Sequence, residues 1–479
     1  MRTAIFILLA LYSLGLLYVE LTGGQAAVRP YVTDIMGEVR FYAIHTSLSV
    51  GVLAACAGLN VLIVGLLRRA QATWRDYAFH TTQVLVFAYL ACDDRFLIHE
   101  ELGSRFNFED ALFLAAIGLF ELVIIWRWGR LADRSPTARR ILVMACAGFA
   151  AMIVIDAFLP SELMFRLALE DLCKLWAGTL LLLFHWELYD QWLSIVAREP
   201  SPDPQRGSSP TATAAIHSLI GDATKTSVLY TGLFGLSRTT SRLFMLIAVV
   251  VLLLSAAHTI SEVLVYTGQM PLRLQLYVDM DHEGNLPTWL SGLLLFCCAQ
   301  ACFALSMVRA DASRKKFNTP KLWRVATVGF VLLSLDEVIQ LHEVFERNYF
   351  GLGLAHHWYY YVAPIALPFA ALALWIAWRA LEPEPNARRC VARGAALFLT
   401  AAIGIESLRN LFEEGALLEG VGELMLVQIV LEESGEMIGV ALILVGLTEA
   451  FLLRVNARHE TAPILGDAIL PVSDSRQAA

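Results

Sequence analysis

Twelve apolar stretches follow one another along the chain, at 3–20, 42–67, 78–98, 110–127, 140–159, 168–188, 242–266, 287–308, 323–344, 358–380, 391–411 and 424–452. A hydrocarbon core about 30 Å thick is crossed by roughly 20 helical residues, so each stretch is long enough to span a bilayer. Backbone N–H and C=O groups in lipid must pair within the chain, and stretches of this length do so as helices. Composition agrees: 57% of residues are hydrophobic and 17% charged, against about 25% charged in soluble domains. The expected fold is all-α, a polytopic membrane helix bundle of about twelve transmembrane helices. The lipid bilayer is the partner this implies. A net charge of −8 gives no reason to expect nucleic acid as another.

The first stretch follows Arg2 and precedes the small-residue run "GGQAA", which is also the pattern of a signal peptide. A similar stretch opens the second half of the chain, so it is read as a retained span, with cleavage as the alternative. Cys56, Cys92, Cys146, Cys173, Cys297, Cys298, Cys302 and Cys390 lie in or at the ends of spans and imply no disulfide framework. The run "CCAQAC" at 297–302 reads as small apolar packing rather than a soft-metal site. Lys and Arg number 18 in the connections after the second, fourth, eighth and tenth stretches, and 7 in the alternate ones. Cytoplasmic loops carry such an excess. Both termini and the even connections are therefore expected in the cytoplasm, and the chain in the inner (cytoplasmic) membrane.

The sequence also repeats itself. "CDDRFLIHEE" at 92–101 aligns with "LDEVIQLHEV" at 335–344, matching Asp93 to Asp336, Asp94 to Glu337, His99 to His342 and Glu100 to Glu343 at an offset of 243. "LEDLCKLWAGTLLL" at 169–182 aligns with "LEESGEMIGVALIL" at 431–444, matching Glu170 to Glu432 and Lys174 to Glu436 at an offset of 262. The expected organisation is a first six-helix repeat over 1–190, a cytoplasmic Pro/Ser-rich linker over 191–240, a second repeat over 241–453 and a flexible cytoplasmic tail over 454–479. Six spans is an even number, so the repeats are parallel rather than inverted.

The second repeat concentrates ionisable groups in its outer half. Asp336, Gln340 and Glu343 share one helix face, as do Glu432 and Glu436. Glu406 and the i, i+4 pair His258 and Glu262 fall near outer helix ends, and the loop "DMDHEGN" adds Asp281, Glu283 and Asn285. That loop begins like a calcium loop, but Leu290 stands where the bidentate Glu belongs, which excludes the assignment. A charged group at the bilayer centre costs about 2.5–3.5 kcal/mol on insertion scales, so such residues mark pathways or sites. Several carboxylates close together require protons or a cation. Asp336, His342, Glu432 and Glu436 are the candidate ligands of a divalent metal, and oxygen plus imidazole donors suit Zn, Mn or Fe. Asp336, Glu343, Glu406 and Glu433 are the candidates for binding substrate or protons, and Glu337 or Glu343 for a general base. For His342 and Glu343 an interfacial helix end is the plain alternative. Asp93, His99, Glu100, Glu170 and Lys174 read as a degenerate, structural copy, because Lys174 can pair with Asp93 or Glu170 where the second repeat has Glu436.

"EGNLPTWLSGLLL", "SLDEVIQLHE" and "LEESGEMIGVALIL" together resemble uncharacterised multi-pass bacterial membrane proteins that carry an S-[LI]-D-E-x4-H-E helix. The resemblance covers chiefly 280–450 and implies no activity. The first half departs from the pattern where "CDDR" replaces "SLDE" and Lys174 replaces a Glu.

Three functions fit. The layout of two six-helix repeats with intramembrane acids and His is that of a cation- or proton-coupled transporter of a small solute or ion. A membrane-embedded, metal-dependent hydrolase acting on a lipid or lipid-linked substrate at the outer leaflet uses the same groups to activate water. A non-catalytic subunit whose acidic outer face binds a protein partner is the third.

Overall fold

The computed structural model describes residues 2–32, 44–67, 72–96, 98–99, 103, 110–130, 134–160, 162–198, 233–269, 278–280, 285–308, 320–339, 359–405 and 421–461. Of the residues singled out above, Glu100, Asp281, Glu283, Gln340, His342, Glu343 and Glu406 lie outside the described residues, as does most of the expected linker and tail. Among the described residues the chain is helix and turn, with no strand.

The helices are α1 (Arg2–Gly23), α2 (Gln25–Val32), α3 (Ile44–Leu67), α4 (Trp74–Phe96), α5 (Asp110–Trp128), α6 (Pro136–Phe158) and α7 (Arg166–Arg198) in the first half. The second half holds α8 (Arg238–Tyr266), α9 (Leu286–Met307), α10 (Pro320–Ile339), α11 (Tyr359–Ala380), α12 (Pro385–Leu399) and α13 (Val421–Thr461). A π-helical turn, Thr400–Ile405, continues α12. Several starts are written locally. Ser135 and Asn285 accept from the backbone N–H three residues on, each with Pro in the first turn, and Ser237 does the same for Thr240. Gly24, at φ +70°, takes the left-handed turn that ends α1, its N–H donating to the Glu20 carbonyl.

Among the described residues, six helices are long and apolar enough to cross a membrane: Ile5–Gly23, Ile44–Leu67, Pro136–Phe158, Arg238–Tyr266, Leu286–Met307 and Met425–Val455. The chain is thus an all-helical, multi-pass membrane protein. Within the described residues the remaining expected spans also fall on helices, some of them with charge at their ends. For example, α4 opens on Arg75 and Asp76 and closes on Asp93, Asp94 and Arg95.

The two halves pack their helices in the same pairs. In the first half α3 lies on α4, α6 on α7, α3 on α7 and α1 on α7; in the second, α9 lies on α10, α12 on α13, α9 on α13 and α8 on α13. Ile5–Gly23 is 11% buried and Met425–Val455 78%, which puts α1 at the rim and α13 at the centre. Close approaches recur too. A Cβ on Gly148 would lie 2.9 Å from the Ala177 Cβ (α6 on α7), and one on Gly439 would lie 2.7 Å from the Phe398 nitrogen (α12 on α13). Ala177 and Gly439 stand 262 residues apart, the spacing that aligns Glu170 with Glu432. The halves meet where α3 lies on α9, with Trp186 and Phe303 edge to face at 4.4 Å and the Arg95 guanidinium 5.0 Å over the Trp289 ring.

Buried ion pairs and caps close the helix ends. The Arg454 guanidinium donates to both Glu384 oxygens at 3.0 and 3.1 Å while lying 5.4 Å over the Trp323 ring. Glu449 accepts the Ser237 N–H at 3.1 Å and the Thr240 hydroxyl at 2.8 Å, tying α13 to the start of α8. At the opposite end of the bundle Glu20 accepts the Phe165 and Ala168 N–H groups at 2.9 and 3.2 Å, a carboxylate on the positive end of α7.

Candidate functional site

The acidic motifs gather at the end of the bundle where α4 and α10 finish and α7, α9 and α13 begin. In the first half the carboxylates there have compensating partners. Asp93, 2% exposed, accepts the Tyr89 hydroxyl at 3.1 Å and the His99 backbone N–H at 2.9 Å, and its other oxygen lies 2.9 Å from His99 Nδ1. Asp94 forms an ion pair with the Lys174 ammonium on α7. Glu170 lies 3.7 Å from Arg166, which also donates to Asp156 at 2.9 Å.

This corrects the expected pairing of Lys174 with Asp93 or Glu170. Consecutive residues on a helix point about 100° apart. Asp93 therefore turns toward the segment after α4 and meets His99, while Asp94 turns toward α7 and meets Lys174. Glu170 sits one turn after Arg166 and is taken by it.

The second half presents acids at the same stations. On α10, Ser334 donates to the Gly292 carbonyl at 2.7 Å, and a Cβ on Gly292 would lie 2.8 Å from Val338 and 3.8 Å from the Glu337 Cγ. The face of α10 carrying Ser334, Glu337 and Val338 thus lies on α9, and Asp336 is phased to the other side of the helix. On α13, Ser434 meets Ser255 of α8 at 2.7 Å, Gly435 and Gly439 press on α12, and the Val440 carbonyl accepts from the Cys298 thiol of α9 at 3.8 Å. At 100° per residue, Glu432 and Glu436 fall between the directions facing α12 and α9, with Glu433 beside the α9 direction. Glu432 is buried; Glu433 and Glu436 are half-buried. Glu337 and Glu436 are thus the residues aligned with Asp94 and Lys174.

A second pair of aligned contacts checks those offsets. At the far end of the bundle the Trp192 indole donates to His80 at 3.2 Å in the first half, and Arg454 lies over Trp323 in the second. His80 to Trp323 is 243 residues and Trp192 to Arg454 is 262, the same two spacings.

Sequence reasoning missed several polar residues. Glu20 was one, although it shares a legible Ser-x6-Glu spacing (Ser13 to Glu20) with Ser255 and Glu262. His258, Glu262 and Asp279 bring ligand atoms within 4.8 Å of one another; the first two stood out as an i, i+4 pair, but Asp279 did not. Asn60 links His80 and His185 in a buried chain, its Oδ1 2.7 Å from His80 Nδ1 and its Nδ2 3.1 Å from His185 Nδ1. Nothing local marks that network, because its members lie on three apolar helices. A cavity of about 150 Å³ also opens between the halves, walled mainly by aliphatic side chains of α3, α9 and α10 such as Val52, Leu293, Val331 and Leu335.

The chain matches the family described as Domain of unknown function (DUF8692) over residues 4–188 and 243–450. It belongs to that family. No curated protein and no solved structure matches it.

Proposed function

We propose that this DUF8692 member is a cation- or proton-coupled transporter of a small solute or ion, built from two parallel six-helix repeats of twelve spans in all. Its termini and linker are cytoplasmic in the inner membrane, and its motif end faces outward. The repeated packing pairs, the shared offsets and the gap in the family match over 189–242 support the duplication.

One observation carries the functional reading. At the positions aligned with Lys174 and Asp94, which form an ion pair in the first half, the second half carries Glu436 and Glu337. Acidic side chains within membrane helices mark ion pathways and proton relays, and like charges set together there favour a bound proton or cation. Glu337, Glu432, Glu433 and Glu436 are the groups assigned to that cation, and Asp336, His342, Glu343 and Glu406 remain candidates to assist them. Binding and release at such a site, coupled to rocking of one repeat against the other, moves solute.

The test is charge displacement on supported membranes bearing proteoliposomes of the full chain, after jumps of pH, Na⁺, K⁺, Mn²⁺ and Zn²⁺. Wild type is expected to respond to at least one jump, and Glu436→Gln to none. Silence of the wild type to all of them overturns the proposal.

A second reading, a metal-dependent enzyme working on a lipid-linked substrate, is favoured by the apolar cavity between the repeats, whose walls suit a hydrocarbon chain. In it Zn, Mn or Fe sits on Asp336, His342, Glu432 and Glu436, with Glu337 or Glu343 as base. Turnover of a lipid-linked substrate without any charge displacement would select this reading.

A further inference from the structure

The end of α8 and the segment leading into α9 form a second polar centre. His258 and Glu262 stand one turn apart on α8, and Asp279 is brought to them from the connection. His258 is 1% exposed and Asp279 6%, so neither group is a solvated surface residue. The Met280 N–H donates to His258 Nδ1 at 3.1 Å, which places the lone pair of a neutral ring on Nδ1 and its proton on Nε2. That same Nδ1 lies 3.6 Å from Asp279 Oδ1. That separation is too long for a hydrogen bond, and an ion held between the two groups would take the Nδ1 lone pair in place of the Met280 N–H. His258 Nε2 is buried without a hydrogen-bond partner, so the ring is held on its Nδ1 side alone.

We infer that His258, Glu262 and Asp279 bind a divalent first-row metal ion, separately from the carboxylates of α10 and α13. One imidazole nitrogen and two carboxylates form a borderline-hard donor set, which suits Zn²⁺ or Mn²⁺ and leaves positions for water. The ion's role follows from what Asp279 is attached to. The Asn285 amide bonds the Asp279 carbonyl, and the same side chain accepts the Thr288 N–H at 3.3 Å as the cap of α9. A metal on Asp279 thereby fastens the first turn of α9 to the end of α8. Because α9 carries Gly292 against Glu337 and Cys298 against α13, the fastening fixes the wall of the carboxylate seam.

The experiment uses the full-length protein in detergent, stripped with chelator and then given Zn²⁺, Mn²⁺, Ca²⁺ or Mg²⁺, with bound metal measured by elemental analysis and stability by thermal unfolding. Wild type is expected to keep one equivalent of Zn²⁺ or Mn²⁺ and to unfold at a higher temperature with it. Asp279→Asn and Glu262→Gln should each weaken binding at least about tenfold, as loss of a ligand demands more than loss of an outer-shell partner. Metal retained equally by Asp279→Asn and Glu262→Gln would place it elsewhere, on the thiols of Cys297, Cys298 and Cys302 or on the α13 carboxylates, and would overturn the assignment. Stabilisation by acid with no metal bound would do the same, by showing that a proton alone bridges His258 and Asp279. Should Asp279→Asn fail to fold, the half-buried Glu262 gives the deciding variant.

Discussion

At the scale of single residues, Asp93 and Asp94 show how adjacent carboxylates acquire different jobs. Asp94→Asn removes the charge that balances Lys174, and breaking such a buried pair costs about 3–5 kcal/mol. The Lys174 side chain keeps 30% of its exposure, so the loss should sit at the low end of that range. Asp93→Asn keeps an oxygen for the His99 N–H and loses mainly the charge-assisted contact to the ring, a cost of about 1–3 kcal/mol. Thermal unfolding in detergent should therefore rank Asp94→Asn below Asp93→Asn; the opposite order would refute the assigned pairing. The sequence spacing marked these residues as a repeated motif but assigned Lys174 the wrong partner. A motif records residue types, whereas the 100° step between neighbours decides which helix each side chain meets.

Helix pairs set the geometry of the seam. A Cβ on Gly439 meets the Phe398 nitrogen and the Gly394 carbonyl at 2.7 and 2.9 Å, all of it backbone that cannot swing aside. Gly439→Val is expected to push α12 from α13 and destabilise the protein by about 1–3 kcal/mol, the usual range for overpacking. Gly51→Ala, on the cavity wall with nothing within 4 Å of the added Cβ, should leave stability unchanged. Melting temperatures of the two variants test this, and equal losses would contradict the close packing. The helices themselves were readable from length and hydropathy, because lipid leaves the backbone one way to satisfy itself. What could not be read was their order of burial. α1 and α13 are similarly apolar along their spans, yet one lies at the rim and the other at the centre. Hydropathy does not separate a lipid-facing side chain from one packed on another helix, since both surroundings are apolar.

For the whole molecule, the loop charges and the aligned motifs predict an orientation and a division of labour. A cysteine introduced at His282 should react with an impermeant thiol reagent added outside intact cells, and one at Gln205 only after permeabilisation; the reverse pattern would invert the membrane placement. The proposed duplication rests on aligned motifs at offsets of 243 and 262 and on aligned contacts at the far end of the bundle that share those offsets. The division of labour was legible only as a change of charge at one position, Lys174 against Glu436, and its meaning depends on Asp94 being the lysine's partner. Glu436→Lys tests that claim most directly, since it writes the first repeat's ion pair into the second. The variant is expected to fold with a melting temperature at or above that of wild type, through a new pair with Glu337, and to give no charge displacement on any cation or pH jump. Wild-type displacement in folded Glu436→Lys, or loss of folded protein in Glu436→Lys but not in Glu436→Gln, would contradict it.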